Sequence, residues 1–374
     1  MTRNPSNSAG APAGRDAIVI GASAGGVEAV LALARALPVD LPAAVLVVIH
    51  TSPGAPGYLP LLIDRAGPLP AGYAEDGAPV LPGRIYIAPP DRQLLIEPGG
   101  IMRVWRGPKE NGFRPAVDSL FRTAARAYGP RAIGVVLSGY LDDGTLGLML
   151  LKRRGGVAVV QDPATAACPD MPRSAMQNVE VDHVVSLEAM PDLFVRLTRE
   201  PPTPVPPTPF GAPAMSDADI RSGSEQPTMD PADRSIDRKL AEAGPPSALT
   251  CPECGGALWE QRVDGVLRYS CHLGHGYTGE TLDDQYVREV EAALWTAMRQ
   301  MAETAKLHRR LADRMRESGP ADRADDYEQR ARDTERRAAV LRDLLVSDRV
   351  GALIGRGTAG LGRDPGESAR ATAQ

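Results

Sequence analysis

The chain has 374 residues, a formal net charge of -5, and 43% apolar but only 4% aromatic residues. That length exceeds one ordinary domain, and the acidic balance argues against a general nucleic-acid binder. The opening MTRNPSNSAGAPAG lacks the apolar region of a signal peptide, and no apolar run reaches membrane-spanning length. A cytoplasmic protein is therefore expected, with no membrane insertion and no nucleic-acid partner.

Residues 1–15 are small and polar and are expected to be disordered. Across 16–199, short Val/Ile/Leu runs alternate with helical stretches. The strands predicted are 17–21, 43–49, 84–88, 133–138, 157–161 and 183–186; the helices are 26–36, 115–128, 145–154 and 189–197. Continuous apolar strands fit a parallel sheet covered on both faces, and strand–helix alternation predicts a Rossmann-like α/β fold, mostly parallel and doubly wound. The segment 94–104, with Pro-Gly-Gly at its middle, reads as a hairpin insert. Residues 200–248 are Pro-rich and then polar, a linker by composition. Residues 249–279 form a Cys/His module. Residues 280–346 form a helical hairpin broken at Gly319-Pro320, and 347–374 are expected to be a disordered tail.

The hairpin carries heptad seams. Val287, Leu294, Met301, His308 and Met315 recur every seven residues, as do Val290, Ala297, Thr304 and Leu311. In the second helix Tyr327, Ala331, Thr334, Ala338, Leu341 and Leu345 alternate by four and three. Such seams predict an antiparallel pair that binds a partner or a second copy, with a solvated helix pair lacking any partner as the alternative reading.

Three segments carry candidate chemistry. Gly21-Ala22-Ser23-Ala24-Gly25-Gly26 follows an apolar run and opens a helix, the context of a nucleophile elbow. The Ala24 N–H at the helix start would suit an oxyanion. The same turn also suits a phosphate loop, although it lacks the Lys-Ser/Thr of a P-loop. His50 ends the run AAVLVVIH, and Asp143 lies in SGYLDDG directly after IGVVLS. Ends of parallel strands gather on one edge, so the three can meet as nucleophile, base and orienting acid. Taken singly, His50 also reads as a capping or core histidine and Asp143 as a helix N-cap.

In the order GASAGG, the strand ending at His50, IYIAPPDRQL, FRPAVDSLFRTAA, VVLSGYLDDGTLG and DMPRSAM, residues 16–199 resemble the catalytic domain of the chemotaxis-receptor methylesterases, the CheB family. The resemblance implies hydrolysis of glutamate methyl esters on chemoreceptors or similar methylated proteins, with glutamine deamidation beside it and no catalytic cofactor. By motif the nucleophile falls on Ser23, the base on His50 and the acid on Asp143 rather than Asp142. Backbone oxyanion donors fall on Ala24 and Tyr140. The family usually has Gly where this chain has Leu141, whose Cβ restricts the loop presenting the Tyr140 amide. Only some 15 residues precede the first strand, so the family's usual receiver domain, and gating through it, is not expected. The alternative is a catalytically weak scaffold protein that binds partners through its C-terminal module.

Cys251-Pro-Glu-Cys254-Gly-Gly and Cys271-His272-Leu-Gly-His275 have the spacing of a zinc ribbon. His275 is favoured over His272 as the fourth ligand, because a three-residue gap lets its side chain curl back to the ion. A closed Cys3His set leaves no open position, so the zinc would be structural. About 30 residues hold too little core to fold without such a staple.

Overall fold

The computed structural model describes residues 14–202, 245–263, 265–318 and 321–347. Most of the predicted N-terminal disorder, C-terminal tail and linker, and the Gly319-Pro320 break, lie outside them, although Arg15, expected in the disordered N-terminus, is buried and donates to Leu197 O at 3.3 Å.

The first elements are β1 (Ala17–Ala22), α1 (Gly26–Ala36), β2 (Ala44–Ile49), α2 (Leu59–Ala66), β3 (Ala71–Tyr73) and β4 (Ile85–Ile87). A hairpin of β5 (Gln93–Glu97) and β6 (Ile101–Trp105) follows, then α3 (Val117–Tyr128), β7 (Ala132–Val136) and α4 (Thr145–Arg153). The domain finishes with β8 (Val157–Gln161), α5 (Asp170–Asn178), β9 (His183–Val185) and α6 (Met190–Arg199). Seven strands pair in the order β3-β4-β2-β1-β7-β8-β9, all parallel. Every residue of β1, β2, β7 and β8 is buried. Their alternate side chains feed two cores, one under α1, α2 and α6, the other under α3, α4, α5 and the β5–β6 hairpin.

The chain moves outward from β1 to β2 and to the edge strand β3, steps back to place β4 between β2 and β3, then returns to place β7 on the other side of β1. Such a reversal opens a crevice at the C-terminal strand ends. The loops leaving β1, β2 and β7 all emerge there, and they carry Ser23, His50 and Asp143. The predicted strands and helices differ from the observed ones mainly at their ends. Sequence reasoning missed α2, β3 and α5 as elements.

The Cys/His segment forms a four-stranded antiparallel sheet: β10 (Pro246–Thr250), β11 (Ala257–Val263), β12 (Val266–Cys271) and β13 (Gly276–Thr278). It belongs to the same compact unit as the α/β domain, which reaches Leu282. The second unit starts at Asp283. It holds most of α7 (Gly279–Ser318) and all of α8 (Ala321–Val346). Arg309 pairs with Glu335 and Arg316 with Glu328, so the two helices run antiparallel. One predicted seam needs correction: Val290 and Thr304 face solvent, and the buried track on α7 is Ala305 and Ala312. Across from it Ala324, Ala331, Ala338 and Leu345 are buried. Alanines at the contact let the backbones approach closely, so the seam follows small residues rather than the larger ones at heptad spacing.

Candidate active site

Ser23 sits in the turn between β1 and α1. Its N–H donates to the Ser138 carbonyl at 2.9 Å, and its own carbonyl accepts from Gly26 N at 2.9 Å. Gly25 adopts φ +75°, and a Cβ there would lie 2.7 Å from Ala167 Cβ and 2.9 Å from Ser138 Oγ. Only glycine makes this turn cheaply, and the turn lifts Ser23 onto the sheet edge. The Ser138 hydroxyl ties the adjoining loops together, donating to the Ala24 carbonyl at 2.7 Å and accepting from Cys168 N at 2.8 Å.

His50 leaves β2 one residue past its end, with its side chain only 5% exposed. Its Nε2 lies 2.7 Å from Asp143 Oδ2. The ring stacks on Phe113 with centroids 3.7 Å apart and planes 8° from parallel. Its Nδ1 is buried and has no hydrogen-bond partner among the described residues. Ser23 and His50 line one cleft of about 380 Å³, together with Thr51, Ser52, Asp91, Lys109, Phe113 and Arg114. No hydrogen bond from His50 reaches Ser23. The unpartnered ring nitrogen is free to accept a proton, and contacts of a catalytic base commonly tighten only when substrate binds.

Asp143 is fully buried. Besides His50, it accepts from Val117 N at 2.7 Å, Asp118 N at 3.1 Å and Asn111 Nδ2 at 2.9 Å. Val117 and Asp118 are the first two residues of α3, whose preceding Ala116 offers no side-chain cap. Asp143 therefore caps α3 from a distant loop, using orphan amides and the positive helix end to hold a buried carboxylate. Asp118 is fixed in turn by Gly144 N, Gly147 N and Asn111 Nδ2. Burial first, then the neighbouring Asp143, pushes its carboxyl well above the usual range. Asp142 points elsewhere and accepts from the Thr278 hydroxyl at 3.0 Å.

The CheB methylesterase family model matches residues 18–194. A putative protein-glutamate methylesterase/protein-glutamine glutaminase of Leptospira interrogans is 39% identical over 182 residues, which span 49% of this chain and 94% of that relative. The chain belongs to the CheB methylesterase family. A Myxococcus xanthus protein-glutamate methylesterase/protein-glutamine glutaminase is 40% identical over 181 residues, 48% of this chain and 50% of the relative. The crystal structure of the Thermotoga maritima CheB methylesterase catalytic domain is 34% identical. It covers 49% of this chain and 98% of its own, with a TM-score of 0.47.

In this CheB-family chain the loop proposed to supply the Tyr140 amide is held in place by α5 and the loop before it, where Gly139 N donates to Cys168 O at 2.9 Å and Met171 N to Gly139 O at 3.0 Å. Leu141 adopts φ +63°. That is a left-handed conformation which costs an L-residue about 1–2 kcal/mol and which glycine would adopt without that cost.

The family match ends before the Cys/His module. There the ligand atoms of Cys251, Cys254, Cys271 and His275 all lie within 4.8 Å of one another. Cys254 and Cys271 Sγ are 3.7 Å apart, and His275 Nδ1 is 3.6 Å from Cys251 Sγ and 3.4 Å from Cys271 Sγ. A tetrahedral zinc with sulfur at about 2.3 Å and nitrogen at about 2.05 Å would space its ligands by roughly 3.8 and 3.5 Å, so the four side chains fit. His272 instead lays its ring over Gly256. Sequence reasoning missed Asn111, Phe113 and Asp118. Their available signals were an Asn-Gly pair and a run of polar residues, Asp118, Ser119 and Arg122, inside an otherwise apolar helix.

Proposed function

We propose that this chain hydrolyses glutamate γ-methyl esters on chemoreceptors or similarly methylated proteins, with glutamine deamidation by the same route. Ser23 Oγ attacks the ester carbonyl while His50 Nδ1 takes its proton. Asp143 holds the ring through Nε2 and stabilises the imidazolium. The Ala24 and Tyr140 amides receive the developing oxyanion. Collapse of the tetrahedral intermediate expels methanol, protonated by His50, and water then releases the acyl-enzyme by the reverse proton path. For glutamine the leaving group is ammonia. No cofactor takes part, and Cys251, Cys254, Cys271 and His275 would hold one structural zinc.

The observation that carries this reading is the His50 ring, fixed by Asp143 on one nitrogen and left open on the other in the cleft that contains Ser23. The family membership supports it. The test is methanol release from a methylated chemoreceptor cytoplasmic fragment. Ser23→Ala and His50→Ala should each lower kcat on the order of 10⁴-fold or more. Undiminished methanol release by Ser23→Ala overturns the assignment.

A further inference from the structure

Between β6 and α3 the chain makes a two-residue turn at Asn111-Gly112, both with positive φ (55° and 78°). Glu110 and Phe113 close it with reciprocal backbone hydrogen bonds, Glu110 N to Phe113 O at 3.1 Å and Phe113 N to Glu110 O at 2.9 Å. This pattern suits Asn-Gly. The turn touches the proposed catalytic group twice. Phe113 stacks on the His50 ring, and Asn111 Nδ2 donates to Asp143 Oδ1.

The Cys/His module grips the same turn. Gly276 of β13 accepts from Asn111 N at 2.7 Å and donates to Lys109 O at 3.3 Å, so β13 lies against the turn like an added strand. The Asn111 carboxamide oxygen accepts from Thr278 N at 3.1 Å and Thr281 Oγ1 at 3.2 Å. Thr278 and Thr281 cap α7 reciprocally, Thr281 N donating to Thr278 Oγ1 and Thr278 N to Thr281 Oγ1, in the manner of a capping box. Glu110 carries the third tie. It binds Arg122 of α3 through both oxygens, at 2.6 and 2.8 Å, and Arg268 of β12 at 2.9 Å. Burial alone would raise its carboxyl, but the guanidiniums of Arg122 and Arg268 hold it down at about 2. All of these side chains are buried.

We propose that the C-terminal Cys/His module positions the esterase site: Thr278 and Thr281 fix the Asn111 carboxamide, and the Asn111 turn fixes Asp143 and the His50 ring. This rests on the esterase reading. Asn111 and Thr281 are positioning residues, since neither touches the reacting atoms. His275 precedes Gly276 in the chain, so a metal held by Cys271 and His275 would set the strand that grips the turn. Displacing catalytic groups by about 1 Å can cost on the order of 10²-fold in rate, and loosening the turn acts through that sensitivity.

The experiment uses the full chain. Fluorophosphonate labelling of Ser23 and p-nitrophenyl acetate turnover report the site, and hydrogen exchange at the Asn111 and Thr278 amides reports the grip. Thr281→Val should lower kcat and the labelling rate about fivefold or more with little change in KM. It should also raise exchange at Asn111, and Thr281→Ser should restore both. Withdrawing metal from the wild-type chain with a chelator should raise exchange at Asn111 and Thr278 and slow labelling to a similar degree. The proposal is overturned if exchange at Asn111 rises while labelling stays at the wild-type rate, or if neither perturbation alters exchange. Labelling and turnover that persist in Ser23→Ala would sink the esterase reading instead. In that case the exchange arm still decides whether the module holds the turn.

Discussion

Asp142 and Asp143 are neighbours in the chain with opposite surroundings, and Asp142→Asn exposes the difference. Asp143 has a full set of donors. Asp142 has the Thr278 hydroxyl, and burial pushes its carboxyl up to about 7, with Glu280 and Asp143 adding to the rise against the lowering effect of Thr278. A carboxyl raised in the folded state from 3.8 to about 7 contributes stability that is complete below about pH 4. That contribution falls as pH rises and is gone above about pH 7. Between those values the folded chain binds one more proton than the unfolded chain, so stability falls by about 1.4 kcal/mol per pH unit. From about pH 5 to pH 7, with the slope easing as the group ionises near 7, that amounts to roughly 2 kcal/mol. The carboxamide introduced by Asp142→Asn would keep an acceptor for Thr278 and has nothing to titrate. The fixed cost of the substitution cancels in the slope, so the informative quantity is the difference in melting temperature between wild type and Asp142→Asn as a function of pH. Relative to wild type, the variant should gain on the order of 5–10 °C between pH 5 and pH 7 and little beyond. Calorimetric melts at four pH values measure it. Parallel curves for the two proteins would refute the reasoning. In the same series, Asp142→Asn should retain Ser23 labelling while Asp143→Asn loses on the order of 10⁴-fold in turnover.

Gly139→Ala would place a Cβ 2.1 Å from Met171 Sδ and 2.8 Å from Ser23 Cβ. The variant should be about 1–3 kcal/mol less stable and slow in fluorophosphonate labelling, both measurable on one preparation. Elemental analysis of protein purified without chelator should find about one zinc per chain, and Cys254→Ser should lose most of it. Ala331 is fully buried at the α7–α8 contact; Ala331→Leu should force the helices apart at a cost of about 1–3 kcal/mol, seen as an earlier loss of helicity by circular dichroism.

The sequence exposed what depends on local pattern. The runs AIVIGA and AVLVVI are apolar throughout because both faces of the sheet are covered, and that alone predicts parallel strands. The candidate triad was readable because all three residues stand just after such runs. What escaped depends on tertiary context. Helix α2 begins Leu59-Pro60 after a Pro/Gly-rich loop, so its start looks like more loop. Strand β3 has three half-buried residues and exists only by pairing with β4. Helix α5 has Pro172 in its first turn, where proline is tolerated but hides the periodicity. Asn111-Gly112 reads locally as a surface turn, and nothing in its neighbours says that its carboxamide will be buried between two carboxylates.

The ties between the two sheets are unequal in their consequences. Without Arg268, Glu110 would keep both hydrogen bonds to Arg122 and that of Ser119, so the α/β domain does not need the module to satisfy its buried acid. Asp143 likewise draws all its donors, Val117, Asp118, Asn111 and His50, from within the α/β domain. The module's Glu253 pairs with Lys109 of the cleft at 2.6 Å, but none of the hydrogen bonds to Asp143 comes from the module. It supplies the acceptor for the Asn111 amide and the two donors to its carboxamide oxygen, and these govern where the turn sits rather than how the acid ionises. Loss of the module's grip should therefore reduce turnover by degrees, through misplaced Phe113 and Asn111, whereas loss of Asp143 removes the group that orients His50 and stabilises its imidazolium.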